Sequence, residues 1–345
     1  MGPTIGAGIA DGRPFRFGFL LHLDGDLPPD RAYREAAELF VAAEELGFDS
    51  GWVVQRHFRQ GDVQVASPLM LLAAIAGRTN RIRLGASALA LPLEHPIKVA
   101  EDAATLDALS GGRVELGVGW GPSPGAWEAF GKAFARRHVS FEASVVRLHE
   151  VLEGKALNKL GDVLHPPGTG LRRRLWRAVG GEPDRVVAAA AAATAGDGLQ
   201  VPRATAWRAA TVLEAQRRQI ELIDAYREAW SDGTRPARVQ VTRAVYPHPD
   251  RDEALRLVVP GVRRRTPAAD LPIEEYLARD PVFLGPPDRI ASELAADPAL
   301  RQATDLLVSF APGVPDLPEH VRLLTAAATE LAPRLGWRPA LEGTA

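Results

Sequence analysis

The chain has 345 residues, 46% of them apolar and 24% charged, with a formal net charge of −2 and no cysteine. These are the proportions of a soluble globular protein, and the near-neutral balance gives no basis for nucleic acid or an anionic membrane as partner. The lack of cysteine excludes disulfides, thiolate metal sites and a thiol nucleophile, and no apolar run approaches the roughly 18 residues of a membrane span.

Residues 1–14, MGPTIGAGIADGRP, lack a basic start followed by an apolar core, so they read as a loose leader and not a signal peptide. A cytoplasmic location is the expectation. From there the pattern alternates strand and helix. Phe17–Leu21 is the first strand. Asp30 is placed to cap a helix to Leu46, with Tyr33, Ala36, Phe40 and Ala43 on one face and Gly47 ending it. Trp52–Val54 is the second strand, and Ser67-Pro68 opens a helix to Ala76. Ile82–Leu91 is the third strand, His95-Pro96 starts the next helix, and Val114–Val118 is the fourth strand. Helix is expected over Val139–Glu153, strand over Leu175–Val179, helix over Pro183–Ala195 and strand over Gly198–Val201. A long helix over Trp207–Trp230 precedes a strand at Arg238–Tyr246. Val282–Leu284 is placed in a loop before a helix at Pro287–Ala296. Asp305–Phe310 is the last strand and Glu319–Leu335 the last helix.

Eight short apolar strands alternating with helices over this length predict an α/β chain, a (β/α)8 TIM barrel with loop insertions at 155–174 and 260–281. A doubly wound open sheet is the alternative. The barrel is expected to span 15–338 as one domain, with a tail at 339–345.

Barrel enzymes place their sites at the C-terminal ends of the strands. Those ends carry Gln55-Arg56-His57-Phe58, then Ala86, Ser87 and Ala88, then Gly117, Gly119, Trp120 and Gly121 with Arg136, Arg137 and His138 beyond, and then Gly180 and Gly181. Together they suggest a wide, partly apolar pocket with a cationic rim. Such a pocket suits a flat aromatic ligand with an anionic tail, and flavin mononucleotide (FMN) answers to that description without being the one ligand that does. The other histidines are scattered, and none forms a metal-ligand cluster. Asp107 and Arg113 are expected to pair across the turn before the fourth strand.

The stretch LGASALALPLEHPIKVAEDAATLDALSGGRVELGVGWG, with TRAVYPHPDRDEAL and FLGPPDRIASEL later, resembles the bacterial luciferase-like flavin monooxygenases. GLRRRLWRAVGG followed by GDGL resembles a putative FMN-dependent luciferase-like subset of them. The resemblance implies a flavoprotein that uses reduced FMN and O2 to oxygenate a small organic substrate through a C4a-peroxyflavin. It further implies a cis peptide at Ser87-Ala88 beneath the flavin ring, and phosphate contacts near Arg137, His138, Gly180 and Gly181. Glu182, next in the chain, is an unfavourable neighbour for a phosphate. His57 matches the second histidine of a family motif that usually reads Glu-His-His-Phe, and Arg56 stands in place of the first. An arginine keeps its proton and cannot be a general base, so acid–base work would fall to His57, with Arg56 binding an anion. The plainer alternatives are a packing histidine at 57, a solvated basic loop at Arg136 and Arg137, and a merely packed Trp120. No nicotinamide-type glycine motif follows a strand, so reduced FMN is expected from a separate NAD(P)H-dependent flavin reductase. A homodimer through the early helices is the family habit. The alternative functions are an F420-dependent hydride-transfer oxidoreductase and a flavin-binding protein without turnover. A barrel lyase or aldolase is disfavoured for lack of a strand-end lysine or carboxylate cluster.

Overall fold

The computed structural model describes residues 15–23, 27–58, 65–180, 184–203, 211–265, 272–273, 277, 282–311, 313 and 315–339. The leader, the end of the tail, Gly181, Glu182 and most of 260–281 lie outside the described residues.

In chain order the elements are β1 Arg16–Leu21, α1 Pro29–Glu45, β2 Ser50–Val53, α2 Pro68–Ala76, β3 Arg83–Ala90, α3 Pro96–Leu109, β4 Val114–Gly119, α4 Pro124–Ala129, α5 Arg137–Leu152, α6 Thr169–Arg172 and β5 Leu175–Ala178. Then come α7 Arg185–Thr194, β6 Gly198–Val201, α8 Val212–Ala229, β7 Val239–Pro247, α9 Arg251–Arg265, β8 Val282–Gly285, α10 Pro287–Ala296, β9 Asp305–Ser309 and α11 Leu317–Ala326. Every strand pair is parallel. Strands β1 to β6 pair in sequence, β6 pairs β7, β7 pairs β9 and β9 pairs β1, so the sheet closes into the expected barrel. No helix among the described residues is long and apolar enough to cross a membrane.

Three expectations need correction. Val282–Leu284 is not loop: it forms β8, which pairs with Ala244–Pro247 at the far end of β7, outside the closed ring. Asp30 does not cap α1. Pro28 holds the cap position, and the Asp30 carboxylate instead pairs with Arg34 at 2.6 Å one turn on; Tyr33, moreover, is exposed. Nor does Asp107 pair with Arg113. Asp107 accepts two bonds from Arg174, at 2.7 and 2.8 Å, while Arg113 donates to Ser110 O, Thr79 O, Ile82 O and Ala76 O. A guanidinium with its donors spent on carbonyls has no need of a carboxylate.

Inside the barrel, Trp52, Trp176, Leu307 and Leu20 pack as a cluster separate from the main core between strands and helices. The two indoles meet edge to face at 6.1 Å. Their bulk is admitted by glycines on the next strands. A Cβ on Gly85 would lie 2.1 Å from the Trp52 ring, and one on Gly198 would lie 2.3 Å from the Trp176 ring. Beneath them, at the N-terminal end, Glu115 is 2% exposed and accepts from Arg83 at 2.6 Å, Arg16 at 3.2 Å and the Trp176 indole at 2.6 Å. Burial alone would raise the Glu115 pKa. Arg16 and Arg83, with the indole N–H and Arg238, outweigh burial and hold it below the ordinary glutamate value.

Gly85→Ala should destabilise the fold by about 1–3 kcal/mol through overpacking. Gly77→Ala, where the nearest atom would be 3.8 Å away, should be near neutral; urea unfolding of both variants checks the contrast. Glu115→Gln removes the buried charge that part-buried Arg16 and Arg83 pair with and should cost about 3 kcal/mol at neutral pH. Because the folded pKa is depressed, the carboxylate's contribution is complete above the unfolded value and is lost as pH falls through the folded one. The gap between wild type and variant in unfolding free energy should therefore hold down to the ordinary pKa of 4.5 and narrow below it.

Candidate active site

With the N-terminal half of the barrel filled, the space for a ligand lies at the C-terminal mouth. Its first wall comes from β3, β4 and β5. The Ser87–Ala88 peptide bond is cis, and the pairing of β3 with β4 shifts register between Ala86 and Leu89. Ser87 and Ala88 are half-buried at this bulge, whereas the Ala86 side chain is fully buried in the main core, leaving its backbone to face the barrel. Across from the bulge, a Cβ on Gly119 would meet Ala88 Cβ at 3.3 Å and Ala178 Cβ at 3.7 Å. The wall is thus kept flat by three small residues from adjacent strands.

The connection after β4 forms the rim. The Trp120 ring lies 5.1 Å from His138 and 6.1 Å from Phe134. The Arg137 guanidinium sits over Phe134 at 4.3 Å and Trp120 at 5.2 Å, and Nη1 donates to Phe134 O. Arg137 Nε is buried with no partner among the described residues. So Arg137, His138 and Trp120 do come together, where β4 hands over to α5. Arg136 is exposed beside them. Gly180 follows β5; Gly181 lies outside the described residues.

The turn after β2 is a second cluster. His57 packs against Phe130 at 5.1 Å and Phe58 at 5.6 Å, and the two phenyl rings lie 5.6 Å apart. Phe58 holds a positive φ of 55°, which non-glycine residues seldom adopt. His57 Nε2 is buried and finds no partner among the described residues. Arg56 donates from Nη1 to Gln55 O at 3.1 Å, and its backbone N–H goes to Val65 O.

Gln55 organises this turn, and its role was not apparent from its place in QRHF. Its buried amide donates to Ala66 O at 3.0 Å and Glu94 Oε1 at 3.3 Å, and accepts from Ala90 N at 2.7 Å. One side chain therefore ties the exit of β2 to the exit of β3, two residues past the cis bond. An uncharged amide directly after a buried strand was the one available signal. A further pair also escaped: on β6 and β7, Gln200 donates to Gln240 at 2.7 Å inside the barrel.

The family description "luciferase-like monooxygenase" matches residues 15–308, most of the chain. Among curated relatives, 4-hydroxyprotoasukamycin monooxygenase of Streptomyces nodosus subsp. asukaensis is 37% identical over 136 residues, 39% of this chain and 36% of that protein. The chain spans about two fifths of the length of the curated relatives it matches first. Two solved structures share the fold. The oxygenating constituent of 3,6-diketocamphane monooxygenase from Pseudomonas putida, in complex with FMN, has a TM-score of 0.73 at 18% identity and covers 93% of this chain and 98% of its own. The coenzyme F420-dependent tetrahydromethanopterin reductase of Methanopyrus kandleri has a TM-score of 0.68 at 17% identity, with 94% and 100% covered. At such identities the structural likeness establishes the fold, and the family match does the rest: this chain belongs to the luciferase-like monooxygenase family.

Proposed function

We propose that the protein is a flavin-dependent monooxygenase that binds reduced FMN and uses O2 to oxygenate a small organic substrate. The observation that carries this reading is the flat wall of Ser87, Ala88, Gly119 and Ala178, where any larger residue at Gly119 would fill the space a planar ring needs. Ser87, Ala88 and Gly119 would hold the ring. Arg137 and His138, with the backbone at Gly180, would take the phosphate, and the unpartnered Arg137 Nε supports this. When bound, reduced flavin supplies the electrons for oxygen activation, delivered by a separate NAD(P)H-dependent reductase in the two-component arrangement.

The chain's own share is position, dryness and one mobile proton. Burial lowers the His57 pKa, and Glu94 opposes that shift without cancelling it. His57 is therefore neutral at physiological pH, with Nε2 free to hold or release a proton. Phe58 and Phe130 pack against its ring, and Arg56 stays protonated and offers its charge to an anionic group. A second reading, hydride transfer from F420, is favoured by Arg56 standing where the motif has a histidine.

Anaerobic titrations with reduced FMN and with F420, followed by admission of oxygen to the FMN sample, separate the two. Saturable binding of reduced FMN and a reoxidation course distinct from free flavin are expected. Saturation by F420 with no response to reduced FMN would overturn the proposal. The His57 imidazole should titrate below the ordinary 6.5 in NMR, and Glu94→Gln should move it lower still. A midpoint above physiological pH would remove His57 as the neutral group. By linkage, stability tied to neutral His57 is present above the unfolded pKa and is lost as pH falls through the folded one.

A further inference from the structure

Gln200 and Gln240 are 3% and 1% exposed. Gln200 follows Gly198 by two residues on β6, so it shares the inward face with the glycine that makes room for Trp176. Its Oε1 reaches over to β4, 2.6 Å from where a Cβ on Gly117 would stand. The pair makes one hydrogen bond, Gln200 Nε2 to Gln240 Oε1. The remaining atoms, Gln200 Oε1 and Gln240 Nε2, have no partner among the described residues.

That leaves one acceptor and one donor facing the barrel interior. The count does not depend on how the amides are oriented: reversing both keeps the bond and still leaves one donor and one acceptor. Buried amide atoms are seldom left unsatisfied, because each forgoes its bonds to water. Thr242 on β7 and Ser309 on β9 are also buried, so β6, β7 and β9 give this side a polar lining. The wall assigned to the flavin uses β3, β4 and β5; Gln200, in register with Ala178, stands at its edge, and β7 and β9 beyond it are left to the substrate.

We infer that Gln200 and Gln240 are the specificity-determining pair of the pocket and take a substrate bearing a hydroxyl-type group, which donates to one amide and accepts from the other. The assignment of this side to substrate rests on the flavin reading above. A site built to bond a hydroxyl rejects the analogue that lacks it, because its own polar atoms are then left unpaired.

The test uses p-cresol and p-xylene, which differ by hydroxyl against methyl, titrated calorimetrically into the protein with and without oxidised FMN. Wild type should prefer p-cresol by about ten-fold. The double variant Gln200→Leu/Gln240→Leu should lose that preference, keep FMN affinity within about two-fold, and melt no earlier than wild type, since removing both members together leaves no orphan. Equal binding of the two probes by wild type overturns the inference and leaves interior water as the occupant. So does a preference that survives in the double variant. Loss of FMN binding in the variant would give the pair to the cofactor, and early melting would make it structural; either result sinks the substrate role. If wild type binds no FMN, the flavin reading fails, while the cresol preference still decides what the pair does.

Discussion

Trp176 packs inside the barrel with its indole N–H on Glu115 at 2.6 Å and the guanidinium of Arg238 4.5 Å from its ring centroid. That contact decides where everything else can go. An indole of this size fits only because Gly198 yields the space beside it, and Trp52 fits only because Gly85 does. Together they fill the lower barrel, and the carboxylate below them is paired with Arg16 on β1 and Arg83 on β3, with Arg238 just before β7 nearby. A floor so packed leaves the C-terminal mouth as the place for ligand. It also gives the mouth a rigid base against which small shifts of the loops above have consequences.

Above the floor, geometry is held by side chains that do no chemistry themselves. Gln55 bonds the exits of β2 and β3 to one another. Trp127 donates to Gly121 O at 2.9 Å and packs with Ala90, Leu93 and Ala126, which seats the short helix α4 on the end of β3. The connection from β4 to α5 then presents Phe130 to His57 and Phe134 to Trp120 and Arg137. One loop therefore serves both ends of the mouth, and a change in its path would move the cationic rim and the imidazole together.

Most strands were legible in the sequence because a strand buried on both faces is a short apolar run between turn residues. β8 was not, since it is only half-buried and gains its partner only from the extended end of β7. Local charge was misleading for a related reason. Asp107 and Arg113 are neighbours in sequence, but the partner Asp107 finds is Arg174, 67 residues on. At the site, the residue types at the strand ends could be read directly. Their grouping could not. The packing of His57 against Phe130 and the bond from Gln200 to Gln240 join residues 73 and 40 positions apart. No periodicity records such meetings; they exist only once the barrel has closed.

The turn after β2 departs in charge from the motif that the rest of the chain resembles. Where the family motif has an acid followed by an imidazole, this chain has the neutral Gln55 and the cationic Arg56. Glutamate at 55 would set a second carboxylate near Glu94, whose Oε1 lies 3.3 Å from the Gln55 amide, and it could not donate to Ala66 O. Two carboxylates so close would repel one another. The amide removes that conflict and keeps the bond to Ala90 N, and Glu94 tempers the fall in the His57 pKa that burial causes. Arg56 adds a fixed positive charge that cannot exchange a proton. On the proposed reading, proton transfer between residues 56 and 57 would rest on the one imidazole, whose pKa burial lowers, while Arg56 would add a fixed charge for an anion.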